Sequence, residues 1–168
     1  MIFATVGTQL PFDRLLLALD TWAALHLEVP VIAQTGQSSK TYTHLQTCAH
    51  LDQRAFADTF AAARVVVAHA GMGTILTALD LGKPLILMPR RADLGEHRND
   101  HQQDTAAEMA QLSNVTVVQS SAALCVALDR ALAAPRAVGD VPVAAEPKAL
   151  IEAVRSFIWT GLTPEVRP

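Results

Sequence analysis

Apolar positions in this 168-residue chain follow two rhythms. Residues 2–6, 29–33, 64–68, 85–88 and 115–118 are short runs rich in Ile, Val, Leu and Ala. Such runs predict strands covered on both faces, as in a parallel sheet. Between them apolar residues recur every three or four positions. Phe12, Leu15, Leu16, Leu19 and Trp22 predict a helix behind Pro11, a residue suited to a first helical turn. Phe56 and Phe60 fall in a helix predicted over 52–63. Further helices are predicted over 75–81, 100–111 and 121–133, and Gly82 and Pro84 stop the first of these. Residues 45–50 hold a weaker strand, 34–43 a polar loop and 90–99 a charged one. Residues 64–88 read as one βαβ unit. Pro135, Pro142 and Pro147 among small residues predict a linker over 134–147. Leu150, Ile151, Val154, Phe157 and Ile158 then lie on one stripe of a helix over 148–158, with a tail to 168. The expected architecture is α/β: a Rossmann-like, mostly parallel sheet with helices on both faces, in one domain over 1–133.

Composition narrows the class. Hydrophobic residues make up 51% and charged residues 17%, which excludes a disordered chain. Thirteen Lys and Arg stand against sixteen Asp and Glu, a net charge of −3, so a generally basic nucleic-acid surface is excluded and a local basic site is not. Cys48 and Cys125 form no disulfide framework or zinc knuckle and suit a reducing compartment. No run of about 18 apolar residues is present, and the N-terminus reads as a first strand instead of a signal peptide.

In an open parallel sheet, ligands bind beyond the carboxyl ends of the strands. Three segments leave predicted strand ends with suggestive chemistry. In His69-Ala70-Gly71-Met72-Gly73-Thr74, two glycines permit close backbone approach and a helix start favours phosphate. Thr74 either caps that helix or donates to a phosphate oxygen. The plainer reading is a tight turn that packs helix on strand. Gly7-Thr8-Gln9 is a similar, weaker turn. The polar stretch from Arg90 to Gln103 carries His97 and His101 four apart, with Glu96 and Asp100 nearby. The order is not H-E-x-x-H and no third ligand is evident, so no metal site is expected. There is no G-x-S-x-G elbow, P-loop or G-x-G-x-x-G either.

The string His69-Ala70-Gly71-Met72-Gly73-Thr74-Ile75-Leu76, with Gly82-Lys83-Pro84, Pro89-Arg90 and His101-Gln102, resembles the C-terminal domain of glycosyltransferase family 28. The opening, Thr5-Val6-Gly7-Thr8 with Phe12-Asp13-Arg14-Leu15, is similar to a subgroup in which that domain is a separate protein. This subgroup includes the catalytic subunit of a eukaryotic two-subunit dolichol-linked GlcNAc transferase. The stretch from Gly95 to Gln102 looks most like its bacterial exopolysaccharide branch. The resemblance implies one half of a GT-B enzyme, since a whole one needs roughly twice this length. It implies a UDP-sugar donor bound by residues 1–133, with no further cofactor. It also implies a membrane-anchored acceptor-binding subunit, a lipid-linked saccharide acceptor and no nucleic acid. The chain would then be cytoplasmic, recruited to the inner face of the membrane by its partner.

Carried over by position, Gly71, Gly73 and Thr74 would face the diphosphate, and Gly7 and Thr8 would line the cleft. Gln102 and Gln103 would bond the donor sugar, since an amide both donates and accepts. His101 would touch phosphate or sugar, and Arg90, Arg91 or Arg98 would help neutralise the leaving group. The expected catalytic set is thus Thr74, His101 and Arg90. Where relatives often carry an acidic residue for the ribose, this chain has Thr77, whose hydroxyl bonds more weakly than a carboxylate. The base would belong to the other half. Two alternatives stand beside this reading: a nucleotide-sugar-binding regulatory module without turnover, or an unrelated α/β enzyme.

Overall fold

A computed structural model describes residues 1–134. Six strands form a single parallel sheet: β1 (Ile2–Thr5), β2 (Val31–Gln34), β3 (Gln46–Cys48), β4 (Val65–Ala68), β5 (Leu85–Leu87) and β6 (Val115–Val117). Their order is β3-β2-β1-β4-β5-β6. Five α-helices connect them: α1 (Asp13–Ala23), α2 (Gln53–Ala62), α3 (Met72–Asp80), α4 (His101–Met109) and α5 (Ser121–Ala133). The expected Rossmann-like architecture is what the chain adopts.

Strand alternation sorts the core onto two faces. Ile2, Ala4, Val6, Val65, Val67 and Ile86 pack with Leu15, Leu16 and Leu19 of α1 and Leu124 and Leu128 of α5. Phe3, Val66, Ala68, Leu85 and Leu87 point the other way, onto Phe60 of α2 and Ile75 and Ala78 of α3. Phe3 meets Phe56 and Phe60 edge-on, with ring centroids 5.4 and 6.0 Å away. Burial on both faces explains why the central strands read as continuous apolar runs.

The ends of the elements differ from expectation in places. Phe12 is the N-cap of α1, so Pro11 lies just outside the first turn. Asp52 and Ser120 cap α2 and α5 by accepting from Ala55 N and Ala123 N. The largest difference is at α3, which begins at Met72, three residues before the predicted start. Residues 72–74 are its first turn, held there by tertiary packing despite the low helix propensity of Gly73. The linker expected over 134–147, apart from its first residue, and the helix expected over 148–158 lie outside the described residues. Among the described residues no helix is long and apolar enough to cross a membrane.

Candidate functional site

The strand order reverses between β1 and β4, which are direct neighbours. The loops leaving their carboxyl ends diverge to opposite faces, and a crevice opens there. It is a cleft of about 280 Å³ lined by Val6, Gly7, Thr8, Gln9, Leu10, His69, Arg90, His97 and Gln102.

His69 leaves β4 and lies between two glycines. A Cβ on Gly7 would stand 2.9 Å from His69 Cε1, and one on Gly71 would stand 2.4 Å from His69 Nε2. Gly7 also has φ +76°, a conformation that L side chains rarely adopt. Both glycines make room for this imidazole, a reason that spacing alone does not reveal. Gly73 is different: nothing lies within 4 Å of its would-be Cβ. His69 Nδ1 is buried without a hydrogen-bond partner. Burial pushes its pKa down to about 4, and the nearby Arg90 cation adds to this, so the ring is neutral at pH 7.

The N-cap of α3 is Gly71, which has no side chain to offer. Thr74, considered above as a cap, sits inside the first turn. Ile75 N bonds back to Gly71 O at 3.1 Å, the first helical bond, and no capping side chain covers the amides before it. Thr77 lies one turn on, its hydroxyl donating to Gly73 O at 2.8 Å.

The other wall comes from β5 and α4. Gln102 is 9% exposed and lines the cleft, and its Oε1 accepts from Arg90 N at 3.1 Å. Its Nε2 makes no bond within the protein among those described. Gln103, expected beside it on the sugar, is held elsewhere. Its Nε2 donates to Arg90 O at 3.3 Å and its Oε1 accepts from Gln119 Nε2 at 3.0 Å. His101 is exposed at the start of α4 and is not part of the cleft lining. His97, four residues earlier, lines it instead. The His97 Nδ1 proton goes to Asn99, whose backbone oxygen lies at 3.2 Å and side-chain oxygen at 2.9 Å. A carbonyl only accepts, so the arrangement leaves Nε2 as the acceptor nitrogen.

Arg90 departs most from its expected role. It is 2% exposed, and its guanidinium is directed at backbone carbonyls of the protein itself. Burial lowers its pKa to about 10, still charged at neutral pH, with Glu96 opposing the fall. Arg91 is engaged with Asp93 at 2.6 Å, and Arg98 is exposed. Among the described residues no group of three or more His, Cys, Asp or Glu is placed to hold a metal ion.

Residues 1–138 match the family model of the glycosyltransferase family 28 C-terminal domain. The chain belongs to this family. A search of the curated proteins found no match. Among solved structures, the glycotransferase of kitacinnamycin aligns with TM-score 0.60 at 18% identity, over 79% of this chain and 35% of that one. The family 28 chain thus spans about a third of that enzyme's length, and its sheet matches the C-terminal half of GT-B glycosyltransferases. The NMR structure of ALG13 aligns with TM-score 0.57 at 19% identity, over 84% of this chain and 90% of ALG13. SsfS6, a glycosyltransferase of Streptomyces sp. SF2575 complexed with thymidine diphosphate, aligns with TM-score 0.52 at 25% identity, over 76% of this chain and 32% of its own.

Sequence reasoning named His69 as part of a turn and of the resemblance, and Glu96 as a neighbour of His97 and His101 and as part of the resemblance, but gave neither a role in the cleft. The signal for His69 was available in its place, directly after a buried strand and between two glycines. Glu96, which binds Arg14 through both oxygens at 2.7 and 2.8 Å, carried no local signal because its partner is 82 residues away.

Proposed function

We propose that this chain is the donor-binding half of a two-component glycosyltransferase that takes a sugar from UDP. The observation that carries the reading is the uncapped N-terminus of α3, whose N-cap Gly71 lies against His69 of the cleft lining. Amide groups and the positive end of the helix dipole favour a diphosphate there, by up to about 2 kcal/mol in partly buried geometry. Family membership and the thymidine diphosphate bound by SsfS6 support a nucleoside diphosphate as the ligand. The alignment with ALG13 supports the same fold for such a donor-binding half.

In this reading the acceptor hydroxyl oxygen bonds to the anomeric carbon as the bond from that carbon to the diphosphate oxygen breaks. The electron pair and the growing negative charge go to UDP. Fixed amides at the start of α3 stabilise that charge without reorganising. Gln102 Nε2 donates to a sugar hydroxyl, and Thr77 faces the ribose. The base that takes the acceptor proton comes from the partner, a membrane-anchored polypeptide holding a lipid-linked saccharide. The chain is therefore cytoplasmic and reaches the membrane through that partner.

Amide shifts during a UDP titration test the reading. The changes are expected at residues 7–9, 69–74 and 102, at the carboxyl ends of the strands. Shifts confined to the opposite edge of the sheet, or none at millimolar UDP, overturn it.

A further inference from the structure

The guanidinium of Arg90 touches both loops that wall the cleft. Nη2 donates to Val6 O at 2.8 Å and to Leu10 O at 2.7 Å. Nη1 donates to Pro11 O at 2.6 Å and to Glu96 O at 3.2 Å. Three of these oxygens belong to the segment between β1 and α1, on either side of residues 7–9. The fourth belongs to the segment between β5 and α4. The cation also lies over the Phe12 ring, 4.6 Å from its centroid.

Besides these, the β1–α1 segment has long side-chain bonds: Gly7 N donates to Thr5 Oγ1 and Gln37 Nε2 donates to Thr8 O, each at 3.4 Å. Among the described residues, no backbone–backbone hydrogen bond of the loops is made by residues 7–11. The main chain of Arg90 is anchored from the other side by Gln102 and Gln103. Glu96 is held in turn by the two bonds from Arg14, and its Oε2 also accepts from Arg91 N at 3.0 Å. Arg14 further donates to Pro89 O at 2.9 Å. Arg14 thus ties the first turn of α1 to the β5–α4 segment, and the buried Arg90 ties the β1–α1 segment to it.

We propose that Arg90 is a positioning residue, whose planar fork holds residues 7–11 against the β5–α4 segment and so keeps Gly7, Thr8 and Gln9 at the rim of the donor cleft. Its donors point at the protein's own carbonyls and leave the diphosphate to α3. A lysine does not replace it: a single ammonium has three donors at one point and cannot reach four carbonyls spread over two loops. The effect on ligand rests on the donor reading above. The effect on the loop stands without it.

The test is backbone nitrogen relaxation on the ligand-free protein, followed by calorimetry with UDP, on Arg90→Lys and on the milder Phe12→Leu. Losing the hold of the fork is expected to drop the order parameters of amides 7–10 from about 0.85 to below about 0.6 in Arg90→Lys. Amides of β1 and β4 should keep their values, and UDP affinity should fall by about tenfold or more. Phe12→Leu should move the same amides in the same direction by a smaller amount, and it decides the question if Arg90→Lys does not fold. Unchanged order parameters at 7–10 overturn the proposal, whether UDP affinity is kept or lost; its loss would place Arg90 on the ligand. Lowered order parameters throughout the sheet also overturn it. If the unaltered protein binds no UDP, the donor reading fails and the relaxation result still decides the role of Arg90.

Discussion

At the scale of single residues, His69 organises the cleft floor. Its ring occupies the space that two missing Cβ atoms leave. Gly71 has φ −99°, open to any residue, so the cost of Gly71→Ala is steric. The new methyl would meet a buried ring, and overpacking of this kind costs about 1–3 kcal/mol. Denaturant unfolding should record that loss for Gly71→Ala. The same ring makes the fold sensitive to acid. Its pKa falls from 6.5 to about 4 on folding. Between those values the unfolded chain binds more protons, so stability is fully present above pH 6.5 and declines as pH falls toward 4. The decline attributable to His69 is on the order of 3 kcal/mol. Urea midpoints at pH 7 and 4.5 should converge in His69→Asn relative to the unaltered protein; an identical pH slope in both would contradict the assignment. Gln102 offers one free end of its amide. Gln102→Ala should weaken UDP-sugar binding more than UDP binding, by about threefold to tenfold for one lost hydrogen bond. Equal losses for the two ligands would remove Gln102 from the sugar.

At the scale of elements, the strands were legible because burial on both faces leaves a local mark, an unbroken apolar run. The caps of α2 and α5 were not read: Asp52 was placed inside its helix and Ser120 was given no role, though both side chains accept from amides three residues on. The start of α3 was not legible either. Gly71, Met72 and Gly73 carry no helical signal, and the first turn forms because Ile75 and Ala78 are buried against the sheet. In the proposed reading that same weakness serves the donor: a side-chain cap would satisfy amides that the diphosphate needs. The loop residues divide similarly. Gly7, Thr8 and Gln102 were identified from their motifs and line the cleft. Gln103 and His101 were identified by the same means and lie outside the cleft lining, and Arg90 lines it with its guanidinium turned to the protein's own carbonyls, because motif position does not tell which way a loop turns. His97 lines the cleft through its bond to Asn99, a relation set by the fold of the loop.

At the scale of the molecule, the described chain is one Rossmann-like unit with its cleft at the edge where the strand order reverses. In the proposed reading such a unit supplies one wall of an interdomain site. The account rests on the claim that the start of α3 holds a nucleoside diphosphate. Gly73 tests it most directly, since its Cβ position is open and valine is a better helix residue than glycine. Calorimetry of UDP with the unaltered protein and with Gly73→Val, checked by thermal unfolding, should give an equal or higher midpoint for the variant and no measurable UDP binding. Equal UDP affinity in the two proteins would contradict the account.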